Sequence, residues 1–98
     1  MSKLSYNKRG DTALSVMKIL SNKNRYAIMK TLLSTKRDLC VHELSDTIGI
    51  SQSLTSHCLA YLEACGVVKG VRMGKTMCYE PTDTSVAKKV AKVIESLK

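Results

Sequence analysis

Residues 41–65 read VHELSDTIGISQSLTSHCLAYLEAC, two short amphipathic segments parted by a glycine. In the first, Val41, Leu44 and Ile48 fall at i, i+3 and i+7 and line up as one apolar stripe. Gly49 ends that helix, because glycine enters the left-handed backbone region that a helix terminus often requires. Ser51 follows, placed to cap a second helix by accepting hydrogen bonds from its first N–H groups. The spacing predicts that helix over 51–65, with Leu54, Cys58, Tyr61, Leu62 and Cys65 facing inward. Gln52, Ser56, Ala60 and Glu63 point away, with Ser53, Thr55 and His57 on the flanks. A core-anchored helix with small hydrogen-bonding residues in its N-terminal half suits base edges and phosphates in a DNA major groove. The stretch therefore reads as a helix-turn-helix with recognition helix 51–65. An ordinary helical hairpin with a polar face has the same spacing, so the surrounding chain decides between them.

Downstream, Gly66 is placed as a helix C-cap, and 67–71 is rich in valine and reads as a strand. Met73-Gly74 supplies a turn and 76–80 returns as a second strand. Arg72 and Lys75 stand at the tip of this hairpin and Lys69 on its arm. A basic hairpin directly after a recognition helix is a wing (67–80), whose tip reaches flanking phosphates or the minor groove. Pro81 closes it, and Thr84 or Ser85 caps a last helix. There Val86, Val90, Val93, Ile94 and Leu97 form a stripe expected to build a homodimer interface with the first helix.

Upstream, Ala13, Val16, Met17 and Leu20 predict a first helix ending near Ser21-Asn22. Asn24 is the expected cap of the next, with Ala27, Ile28, Thr31 and Leu32 buried and Arg25 and Lys30 off that stripe. Leu39-Cys40 reads as a short extended piece. Residues 1–12 are expected to be a loose basic arm, and 13–98 a single winged-helix domain.

Bulk properties agree with a small nucleic-acid binder. Sixteen Lys and Arg oppose eight Asp and Glu, a formal charge of +8 that draws the chain to polyanions such as duplex DNA. Four Tyr are the sole aromatics, which leaves little on which single-stranded bases could stack. No apolar run is long enough for a transmembrane helix and no signal-peptide core is visible, so a cytoplasmic location with no membrane partner is expected. In such a reducing compartment the four cysteines are expected as free thiols or metal ligands.

Asn24-Arg25-Tyr26-Ala27-Ile28 with Leu32-Leu33, then 38–44 (DLCVHEL), 50–57 (ISQSLTSH) and 62–68 (LEACGVV), with a wing closing at Tyr79, resemble the ArsR/SmtB family of winged-helix repressors. The resemblance spans roughly residues 13–97. It implies a fold that is mainly α with a small β-hairpin: a winged helix-turn-helix of about five helices plus a two-stranded wing. It also implies a homodimeric transcriptional repressor of double-stranded DNA whose affinity changes with an inducer. The family's recognition positions fall on Gln52, Ser53, Thr55, Ser56 and His57, and its wing tip on 72–75, with Arg72 and Lys75 on the backbone.

For the inducer, metalloid-sensing members carry Cys-Val-Cys where this chain has Cys40-Val41-His42, one thiol short. Cys40 and His42 are the candidate sensing residues, for a metal such as zinc or arsenite or for thiol oxidation. Another family site needs a histidine on the last helix, and this helix has none. A regulator with no inducer fits the same residues. Cys58 and Cys65 are expected to pack as small hydrophobes, and Cys78 to be more exposed on its strand. Phosphate-binding glycine loops, nucleophile elbows and carboxylate clusters are absent, which disfavours an enzyme. The rival reading is a winged-helix protein-interaction module, for which an exposed apolar patch around Leu59 would speak.

Overall fold

A computed structural model describes residues 12–35 and 37–98. The expected arm lies almost wholly outside the described residues. The helices are α1 (Thr12–Leu20), α2 (Lys23–Ser34), α3 (Val41–Ile48), α4 (Gln52–Ala64) and α5 (Ser85–Ser96). Strands β1 (Leu39–Cys40), β2 (Val68–Met73) and β3 (Thr76–Pro81) complete the order α1-α2-β1-α3-α4-β2-β3-α5.

Local chemistry sets most of these boundaries. The Asn22 side chain accepts from the N–H groups of Asn24 and Arg25, so Asn22 caps α2 in place of the expected Asn24. Gly49, at φ 86°, terminates α3, and the Ser51 hydroxyl accepts from Leu54 N–H to open α4. Gly66, at φ 80°, turns the chain out of α4 toward β2. Thr84 caps α5 through Ala87 N–H.

The sheet has three strands in the order β1-β3-β2, all antiparallel, one more than the expected two-stranded wing. β1 is two residues long and pairs Leu39 with Tyr79 and Cys40 with Cys78. So short a strand carries no alternation from which pairing could be read.

Ile19, Ile28, Met29, Leu32, Leu44, Leu59, Leu62, Val67 and Val90 are fully buried in one aliphatic core. Each such side chain contributes about 1.5–3 kcal/mol on leaving water. Several inward faces differ from the expected stripes. In α1 the buried pair is Val16 and Ile19, while Met17 is exposed. In α2 the buried residues are Ile28, Met29 and Leu32.

Candidate nucleic-acid interface

α3 and α4 meet through the Gly49 turn, and α4 leans on the core by Thr55, Cys58, Leu59 and Leu62. That choice of face sets what α4 offers to a ligand. Gln52, Ser53, Ser56 and His57 are all exposed, on its N-terminal half. Thr55 is not. It is fully buried and its hydroxyl donates to the Ser51 carbonyl at 2.8 Å. The sequence expectation that Thr55 reads DNA is therefore corrected: satisfied by the preceding turn, it is a core residue. Leu54, expected inside, is 39% exposed beside the polar residues. Leu59, the suggested exposed apolar patch, is buried instead.

The wing tip carries Arg72 and Lys75, both exposed, on either side of Gly74 in the turn. Near the wing's base the Glu63 carboxylate accepts from Gly70 N–H at 3.3 Å, joining the end of α4 to β2. Lys69 pairs with Glu80 across the two strands at 3.5 Å. Recognition helix and wing are thus tied by a side chain as well as by the short connection.

At the start of the helix-turn-helix, Arg37 Nη2 lies 3.1 Å from Glu43 Oε2, and the same carboxylate accepts from Cys40 N–H at 2.9 Å. The hydrogen bond from Arg37, then that from Cys40, hold the Glu43 carboxyl below the usual glutamate range.

The sulfur of Cys40 is bonded to that of Cys78, 38 residues away. This corrects two expectations. Cys78 is buried, and Cys40 and Cys78 are not free thiols. The cause is the β1–β3 register, which sets the two residues opposite each other. Cys58 and Cys65 remain free, with Cys58 in the core as expected and its thiol pushed up by burial. His42 is exposed, and among the described residues no three His, Cys, Asp or Glu side chains gather to hold a metal. Cys40 and His42 by themselves offer two donors, and the Cys40 sulfur is engaged in the disulfide.

The α5 stripe divides in two. Val90 and Ile94 are buried in the protein's own core, with Val86 partly so, whereas Val93 and Leu97 are exposed. The expectation that all five face a partner is corrected for Val90 and Ile94. Outward, Met17 of α1 and Val93 of α5 share a concavity with Ala13, Val16, Lys89 and Lys92, and Leu14 and Leu97 are exposed as well.

Comparison with known proteins places this geometry among relatives. Residues 22–69 match the family described as "Bacterial regulatory protein, arsR family". The chain is 34% identical over 74 residues to the putative arsenical resistance operon repressor ArsR2 of Halobacterium salinarum, covering 76% of this chain and 62% of that one. It thus spans less than two thirds of that relative's length. Among solved structures, HlyU from Vibrio cholerae superposes with a TM-score of 0.76 at 32% identity, covering 92% of this chain and 91% of that one. The transcriptional repressor BigR from Xylella fastidiosa gives 0.78 at 29% identity, covering 99% and 93%.

Proposed function

The chain belongs to the ArsR/SmtB family of winged helix-turn-helix regulators, and on that premise we propose that it is a double-stranded DNA-binding transcriptional repressor acting as a homodimer. The observation that carries this reading is the exposed polar N-terminal half of α4 on a chain that also exposes a basic wing tip. Gln52 offers a donor and an acceptor that match the adenine edge, and Ser53, Ser56 and His57 offer hydrogen bonds to bases or phosphates. Leu54 offers an apolar contact for a thymine methyl. Arg72 and Lys75 neutralise phosphates beside the groove.

A second copy of the chain covers the apolar face of α1 and α5. That pairing sets two α4 helices in successive major grooves, about 34 Å apart on the duplex.

The test is selection from random duplexes, followed by fluorescence anisotropy of the enriched sequence across potassium chloride concentrations. An enriched two-fold symmetric site with a steep salt response supports the reading. Replacing Arg72 and Lys75 by alanine lowers the log–log salt slope by roughly 0.9 for each phosphate that is no longer neutralised. No enrichment, or a salt-indifferent affinity, overturns it and favours a protein-interaction module.

A further inference from the structure

We propose that Cys40 and Cys78 are a reversible oxidation site at which a hydroperoxide closes an intrachain disulfide, and that this bond locks the wing to the helix-turn-helix. The effect on DNA affinity rests on the function proposed above; the oxidation site itself does not.

Where the two sulfurs sit in the fold carries the inference. The bond encloses α3, α4, β2 and the wing tip, and leaves α1, α2 and α5 outside. Every candidate DNA-contacting side chain therefore lies within the loop, and the apolar face of α1 and α5 lies beyond it. Cys40 is the N-cap of α3, the first helix of the motif, and Cys78 lies on the central strand β3. The backbone pairing of β1 with β3 is a two-residue ladder, to which the bond adds a covalent tie beside the Glu63–Gly70 link and the packing of Tyr79 on the core. With the bond, the start of the helix-turn-helix and the wing move as one body.

Accessibility gives the two sulfurs different roles. Cys40 is half-buried and reachable, while Cys78 is 2% exposed and sits opposite it in register. The Cys40 thiolate attacks one peroxide oxygen, the O–O bond breaks, and a sulfenic acid and an alcohol (or water) form. The Cys78 sulfur, giving up its proton, then attacks the sulfenic sulfur. The S–O bond breaks and water leaves. Two thiols are oxidised by two electrons, and the peroxide is reduced by the same two. A small dithiol reverses the change by exchange.

The remaining thiols do not pair with each other. Cys58 lies on the core face of α4 and Cys65 at its end. Their seven-residue separation corresponds to about 10 Å of helical rise, too far for a bond between them.

The test treats the reduced chain with hydrogen peroxide, blocks remaining thiols under denaturing conditions, and maps the products by mass spectrometry. The expected product links Cys40 to Cys78 and leaves Cys58 and Cys65 alkylated. In Cys78→Ser, dimedone traps a sulfenic acid at Cys40 and no intrachain disulfide forms. A linkage through Cys58 or Cys65, or between chains, overturns the site. Anisotropy on the selected duplex is then compared before and after reduction. The oxidised protein is expected to bind at least about fivefold more tightly, because a wing already fixed to the motif loses less freedom on binding. Cys40→Ser should show no such response to peroxide. Equal affinities, or weaker binding on oxidation, overturn the coupling. If neither form binds any duplex the proposed function fails, while the thiol map still decides the site.

Discussion

The guanidinium carbon of Arg25 lies 4.1 Å from the centroid of the Tyr61 ring. The same side chain donates from Nε to the Ile19 carbonyl at 3.2 Å and from Nη2 to the Lys18 carbonyl at 2.6 Å. One residue of α2 thereby closes the C-terminal end of α1 and stacks on α4, where its charge also complements the end of the α1 dipole. It links the helix of the apolar face to the recognition helix.

Replacing Arg25 by lysine should therefore not be conservative. Lysine keeps the charge but lacks the planar fork and the stack. The expected cost is about 1–2 kcal/mol of stability, from removal of the charge-assisted hydrogen bonds and the ring stacking. Urea denaturation followed by circular dichroism measures it. A midpoint equal to that of the wild type would mean that these interactions exchange freely with water.

Thr55 and Ser56 are neighbours with opposite roles. Thr55→Val replaces a buried, satisfied hydroxyl by a methyl, and should cost about 1 kcal/mol of stability while leaving DNA affinity within a factor of about three. Ser56→Glu sets a carboxylate on the exposed face of α4 and should weaken DNA binding at least about tenfold with the fold intact. Anisotropy paired with thermal melts separates the two. The reverse pattern would mean that α4 docks through another face.

Sedimentation velocity gives a similar contrast along α1 and α5. Met17→Asp changes an exposed residue and should weaken self-association at least about tenfold, or about 1.4 kcal/mol, without unfolding the chain. Ile94→Asp buries a charge in the core and should unfold it. A dimer unaffected by Met17→Asp would place the interface elsewhere.

Glu43 brings a pH dependence whose sign follows from its two donors. Its folded pKa lies below the unfolded value, so its contribution is fully present above the ordinary glutamate range, about 4.3. It is lost as pH falls through the folded value. Glu43→Gln should flatten that acid limb in pH-dependent melts while leaving the neutral melting temperature little changed, since the pair with Arg37 is solvent-exposed. An unchanged acid limb would assign the loss to other carboxylates.

The element order is legible in the sequence because caps and glycines punctuate this chain. Gly49, Ser51, Gly66 and Thr84 all act as their chemistry suggests. Helix faces are harder to read where apolar residues surround a helix. Leu54 and Leu59 both fit a stripe, and packing against the core chooses Leu59. A threonine that bonds the preceding turn also passes for a polar surface residue, which is why Thr55 reads as a DNA contact until its burial is seen. The Cys40–Cys78 pair is not legible, because it depends on a strand too short to show a pattern. The partition of the α5 stripe is equally hidden. Valines three residues apart carry no mark of which one meets the core and which meets solvent.

β2 forms one edge of the sheet and is six residues long, a length at which strands of separate molecules can pair. Its sequence discourages that. Lys69 and Arg72 put positive charge along the strand, Gly70 interrupts its apolar run, and the Glu63 carboxylate already occupies the Gly70 N–H. The wing is thus guarded against stacking edge to edge with other copies of itself. On the proposed function, copies of the chain gathered on one duplex would be kept from pairing through this strand.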